Sequence, residues 1–166
     1  MIQVKLTQAE EMIAARVGLA RAENAKLGNY AHRFPSISPT NYFDEMLLHV
    51  NATGAEIAVA RALGLTNFMP TINSFKHDAD IGASIEVKWT KWLDGHLIVA
   101  NHDREDDIAI LCVGVAPHYR VIGYIPVLAA KKPRFKHSKS ESWWVSQINL
   151  RPVETLSRSV YATTSI

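Results

Sequence analysis

The stretch Asp78-Ala79-Asp80-Ile81-Gly82-Ala83-Ser84-Ile85-Glu86-Val87-Lys88-Trp89 marks a change in the hydrophobic period of the chain. From Ile85 onward, apolar Ile85, Val87 and Trp89 alternate with Glu86 and Lys88, the pattern of a strand with one buried face. Side chains alternate along a strand, so Glu86 and Lys88 emerge on one face and Val87 on the other. Asp80 comes just before, across a short bend for which Gly82 supplies the backbone freedom. Two carboxylates and an ammonium are therefore expected to meet at one place, with Asp78 a rival for Asp80.

Downstream the strand-like period continues. Residues 97–100, 108–115 and 119–125 predict three more strands, with turns at the acidic stretch 103–107 and at Pro117-His118. Trp143-Trp144-Val145 predicts a further short one. Upstream the period is helical. Thr7-Gln8-Ala9-Glu10 is a capping box, Ile13, Val17, Ala20 and Leu27 recur at helical spacing, and Gly28 is the expected stop. Pro35 and Pro39 mark a connection. A second helical stretch runs from about Asn41 to Leu63, with an interruption left open along it and Gly64 placed as its cap. Helices first and strands afterwards predict an α/β protein of the α+β kind, one domain spanning residues 1–166. Its core is expected at about 41–150, its N-terminal helix at about 7–27, and a flexible tail from about 152.

At 166 residues, 48% apolar and 20% charged, the composition excludes a disordered or fibrous chain. No apolar run approaches the ~18 residues of a membrane span. The first residues lack a secretory pattern, and Cys112 is the only cysteine, so neither an intrachain disulfide nor a cysteine metal cluster can form. A cytoplasmic protein without a membrane partner is expected. The net charge of +2 does not announce a nucleic-acid binder, but its distribution is uneven. Lys131-Lys132-Pro133-Arg134-Phe135-Lys136-His137-Ser138-Lys139 contains no acid, and is either a phosphate-contacting segment or a solvated loop.

Hard cations such as Mg²⁺ take oxygen ligands, commonly one or two carboxylates with water and substrate phosphates. Such an ion, with a lysine beside it, is suited to phosphodiester hydrolysis. In this light Asp80, Glu86 and Lys88 resemble the Asp…Glu-x-Lys signature of the PD-(D/E)XK nuclease superfamily, with Ala79 where that family usually has proline. Gly54-Ala55-Glu56, opening an apolar helical stretch to Gly64, looks like the helix that carries the family's additional glutamate. The resemblance is to short bacterial and phage members and covers residues 54–125, with a looser echo at Trp144-Val145-Ser146-Gln147. The gap between Asp80 and Glu86 is short for the family.

The resemblance implies a central mixed β-sheet flanked by helices, a restriction-endonuclease-like core, with the site at a splayed strand edge. It implies Mg²⁺ (Mn²⁺ substituting) held by Asp80, Glu86 and the carbonyl of Val87, with Glu56 on the same ion through water or on a second ion. Lys88 then positions the attacking water. DNA is the implied substrate, RNA an open alternative, a homodimer a possible working form, and Lys131, Lys132, Arg134 and Lys136 the expected backbone contacts. A non-catalytic nucleic-acid-binding or assembly protein keeping the same fold is the rival.

Plainer explanations exist for several of these residues. Alternating Glu and Lys suit a solvated strand face, and Thr53-Gly54-Ala55-Glu56 is itself a capping-box pattern. Asp103 offers another carboxylate, although a turn accounts for it. His77, His96 and His102 match no zinc spacing. Of Trp89 and Trp92, and of Trp143 and Trp144, core packing explains at least one in each pair, the others being free to stack on bases.

Overall fold

The computed structural model describes residues 1–27, 41–72 and 78–158. Gly28, the Pro35–Pro39 connection and His77 lie outside them, as do residues 159–166.

The chain opens with a strand that the hydrophobic pattern did not announce, β1 (Ile2–Lys5). The capping box then forms as expected: Glu10 accepts the Thr7 N–H at 2.7 Å, and the Thr7 hydroxyl accepts the Glu10 N–H at 3.3 Å. It starts α1 (Gln8–Leu27), whose buried residues are Ala14, Gly18, Arg21 and Ala22. Helix α2 (Tyr42–Ala62) is capped by Asn41, whose side chain accepts the Asp44 N–H at 3.0 Å. It ends at Leu63, with Gly64 at φ 82°. Because α2 is continuous, Thr53 starts no helix; its hydroxyl donates to the His49 carbonyl one turn back, at 2.9 Å. The capping-box explanation of Glu56 is thereby removed. The two helices pack closely at Gly18, where a Cβ would lie 2.5 Å from the Val50 Cα.

The strands follow as β2 (Ile85–Thr90), β3 (Leu97–Ala100), β4 (Ile108–Val115), β5 (His118–Pro126), β6 (Ser142–Val145) and β7 (Arg151–Pro152). Among the described residues, the main sheet runs in the order β1-β5-β4-β2, and β7 pairs with β5. β2 is parallel to β4 while β1 and β4 are antiparallel to β5, so the sheet is mixed. β3 and β6 form a separate antiparallel ribbon. The protein is a single α+β domain, as the pattern implied, and its sheet is mixed, as the resemblance implied.

The central strand β4 is buried on both faces, which explains its unbroken apolar run. Ile108, Ile110 and Cys112 face a core shared with α1, α2 and β1. Ala109, Leu111 and Val113 face a second core with Leu97, Val99 and Val145. Each fully buried Ile or Leu contributes about 1.5–3 kcal/mol. The long helices thus cover one face only; the other is closed by the β3–β6 ribbon and the short helix α3 (Val127–Ala130). The described part of the tail differs from expectation as well. Residues Val153–Arg158 form 3₁₀ turns, and Val153 and Leu156 are buried in the first core, so apolar packing holds residues expected to fray. No described helix is long and apolar enough to cross a membrane.

Candidate functional site

The site lies at the edge of β2 that no other strand among the described residues pairs. Ile81 and Ile85 exchange both backbone hydrogen bonds, at 3.1 and 3.2 Å, closing a tight turn in which Gly82 adopts φ 60°. This turn lays Asp80 back along β2, where its Oδ2 accepts the Val87 N–H at 2.8 Å. Asp78 is exposed. Of the two aspartates, Asp80 is the one held against β2.

Strand register fixes the faces. Glu86 pairs with Ala109 and Lys88 with Leu111, so both project with the second core, toward the β3–β6 ribbon. Val87 and Trp89 pack on the helix side. The Lys88 ammonium sits 3.5 Å from Glu86 Oε2 and 2.7 Å from Asp103 Oδ2. Asp103 keeps its place in the turn after β3, yet it is only 8% exposed and its carboxylate is aimed into the site. The same Oδ2 accepts the Ala100 N–H at 2.9 Å.

From the helix side comes Glu56, 5% exposed. Arg21 of α1 grips both its oxygens, Nη1 on Oε1 at 2.5 Å and Nη2 on Oε2 at 2.9 Å. Arg21 also donates to the Thr53 hydroxyl at 3.3 Å and, through Nε, to the Thr71 carbonyl at 2.9 Å. The expectation that Glu56 reaches a metal thus meets a guanidinium already on both its oxygens. Sequence reasoning missed Arg21. Its signal was a charged residue at helical spacing from Ala14 and Gly18, on a face otherwise made of small residues. Gly54, two residues before Glu56, is required by packing: a Cβ there would lie 2.3 Å from the Tyr119 hydroxyl oxygen.

The electrostatics are those of crowded, poorly hydrated carboxylates. Burial pushes Glu56 up to about 7; Asp80 and Glu86 add to the rise, and Arg21 opposes it without prevailing. Burial likewise pushes Glu86 up to about 7, reinforced by Asp80 and opposed by Lys88. Asp80 is also raised by burial, against its hydrogen bond from Val87 and the charges of Lys88 and Arg21. Two such carboxylates and a nearby carbonyl are the hard oxygen donors that suit Mg²⁺. Among the described residues, however, no three His, Cys, Asp or Glu side chains form a ready-made metal cage.

The basic segment divides by environment. Lys131 donates to the carbonyls of Asp103 at 2.7 Å and Asn101 at 3.0 Å, so it braces the Asp103 turn instead of facing outward for phosphate. Lys136 pairs with Glu141 at 2.9 Å and lies 4.2 Å from the Trp143 ring centre. Lys132 and Arg134 are exposed. Of the tryptophans, Trp89 packs on the core and donates to the Gly114 carbonyl at 2.8 Å, whereas Trp92 is 61% exposed. Trp144 stacks on His137 at 4.5 Å between ring centres, with His96 tilted against it at 5.9 Å. His102 approaches Asp103 at 3.8 Å. Cys112 is buried, which raises its thiol pKa and keeps it from the chemistry.

No protein-family model, curated protein or solved structure matches this chain.

Proposed function

We propose that the protein is a Mg²⁺-dependent nuclease of the PD-(D/E)XK type, hydrolysing phosphodiester bonds in DNA. The reading is carried by one observation, the convergence of Asp80, Glu86 and Lys88 at an open strand edge where burial resists the ionisation of both carboxylates. Asp80 and Glu86, with the carbonyl of Val87, would hold the ion, and Mn²⁺ would substitute. An ion there supplies Lewis acidity toward the scissile phosphate and acidifies a nearby water. Lys88 orients that water and faces the charge that grows on the phosphate oxygens. Glu56, with both oxygens on Arg21, closes the helix side of the site as a charge-balanced pair, and Lys132 and Arg134 hold the phosphate backbone.

The rival is a nucleic-acid-binding protein that does not cut. It is favoured by the pairs Arg21–Glu56 and Lys88–Asp103, which balance part of the site's charge without a metal. Incubating purified protein with labelled duplex and single-stranded DNA, with Mg²⁺ or with excess chelator, separates the two. Cleavage that requires the ion supports the nuclease; salt-sensitive binding without cleavage supports the rival.

A further inference from the structure

We infer that Asp103 is a positioning residue of this site, fixing the Lys88 ammonium relative to Glu86. The geometry stands by itself; its catalytic consequence rests on the nuclease reading above. A lysine head on four flexible methylenes, on an edge strand, gives up much of its rotamer freedom when fixed. It therefore holds one orientation only where a partner is both close and rigid. Glu86, 3.5 Å away on the same strand face, is the looser partner. Asp103 is the closer one at 2.7 Å and the more deeply buried. It is also rigid: the oxygen that meets Lys88 accepts the Ala100 N–H, and Lys131 clamps the turn through the carbonyls of Asn101 and Asp103.

The constraint comes from a different layer. Asp103 follows β3 in the ribbon that covers the second face of the sheet, whereas Lys88 and Glu86 belong to β2. A chain of contacts thus runs from Lys131 through the turn to Asp103, then to Lys88 and Glu86. It makes the placement of the ammonium depend on how the ribbon docks on the sheet. Asp103 needs no contact with substrate to do this; it acts through Lys88.

The test is competitive acetylation with acetic anhydride, read by mass spectrometry as the labelling rate of Lys88 relative to exposed Lys132. It is run beside single-turnover cleavage of a DNA duplex. In the unmodified protein Lys88 should be labelled several-fold more slowly than Lys132; equal rates overturn the inference without any variant. Asp103→Asn, which retains an acceptor for Ala100, should release Lys88 to faster labelling. It should lower the cleavage rate by up to about 10²-fold, the scale of a misplaced group, with the protein concentration for half-maximal rate unchanged. Asp103→Glu should recover part of both. Unchanged labelling in a folded Asp103→Asn protein overturns the inference, and so does faster labelling with a wild-type cleavage rate. If labelling responds as expected but the unmodified protein cuts no nucleic acid, the Asp103–Lys88 geometry stands and the nuclease reading falls.

Discussion

Asp80, outside the sheet, accepts the backbone N–H of Val87, inside it, at 2.8 Å. One contact thereby satisfies an edge donor and sets a carboxylate against the backbone between Glu86 and Lys88. Asp80→Asn keeps an acceptor oxygen and loses the charge, so the fold should survive within about 1 kcal/mol. Stabilisation of the protein by Mg²⁺ should vanish. Asp80→Ala also strands the Val87 N–H, at a further cost of about 1–3 kcal/mol where water is excluded. Urea unfolding with and without Mg²⁺ reads both effects. An Asn variant that keeps the full Mg²⁺ response contradicts the assignment.

The Arg21–Glu56 pair should behave as a unit. Arg21→Met alone leaves a buried carboxylate without its cation, a loss of about 3–5 kcal/mol. Combined with Glu56→Leu, the same change should restore most of that stability, because the desolvated charge is gone. Unfolding midpoints for the two single variants and the double variant test this. Losses that simply add would show that the ion pair is not the coupling element.

The pH dependence follows from Glu56 and Glu86, each raised from an ordinary 4.5 to about 7. The folded protein holds these protons at a pH where the unfolded chain has released them. Their contribution is therefore most favourable at the acid end, and stability is lost as pH rises from 4.5 through about 7. A bound divalent ion offsets the repulsion and competes with protons, so Mg²⁺ should raise the melting temperature more at pH ~8 than at pH ~5.5. Thermal melts across this range check the sign. A larger Mg²⁺ effect at the acid end would reverse the argument.

In the basic segment, Lys132→Ala and Arg134→Ala should each flatten the dependence of log K on log salt by about 0.9 on duplex DNA. Lys131→Ala should leave that slope nearly unchanged and act on the cleavage rate instead, since Lys131 holds the turn that carries Asp103. Binding titrations at several salt concentrations separate the two kinds of lysine. A full slope change for Lys131→Ala would put it back among the phosphate contacts.

What was legible in the sequence was mostly local. The Thr7–Glu10 box, the Asn41 start and the alternation at Ile85–Thr90 each carry their cause within a few residues. The doubly buried β4 was visible as a run of apolar side chains. Strand β1 was not, since four residues with one buried side chain carry little pattern and its pairing is with distant β5. At the site, alternation placed Glu86 and Lys88 together, but only the Ile81–Ile85 turn lays Asp80 against their strand. Arg21 and Asp103 owe their roles to partners brought in by helix packing and by docking of the ribbon; spacing put Arg21 on the buried face of its helix but named no partner for it. Lys131 shows the reverse case: a local basic run suggested phosphate, and tertiary structure gave its ammonium to two carbonyls.

The most direct measurement is single-turnover cleavage of a labelled duplex by Lys88→Ala, with circular dichroism and Mg²⁺ titration on the same sample. Lys88 is largely buried beside Glu86 and Asp103, where it can serve the attacking water without being needed to hold the core together. The variant should fold and bind Mg²⁺ while its cleavage rate falls about 10²-fold or more, the scale of losing one transition-state donor. Lys88→Arg should recover only part of that loss, because its planar fork differs in shape and basicity from an ammonium. A folded, Mg²⁺-binding Lys88→Ala protein that cuts at the full rate would contradict the mechanism and leave the non-catalytic binder as the better description.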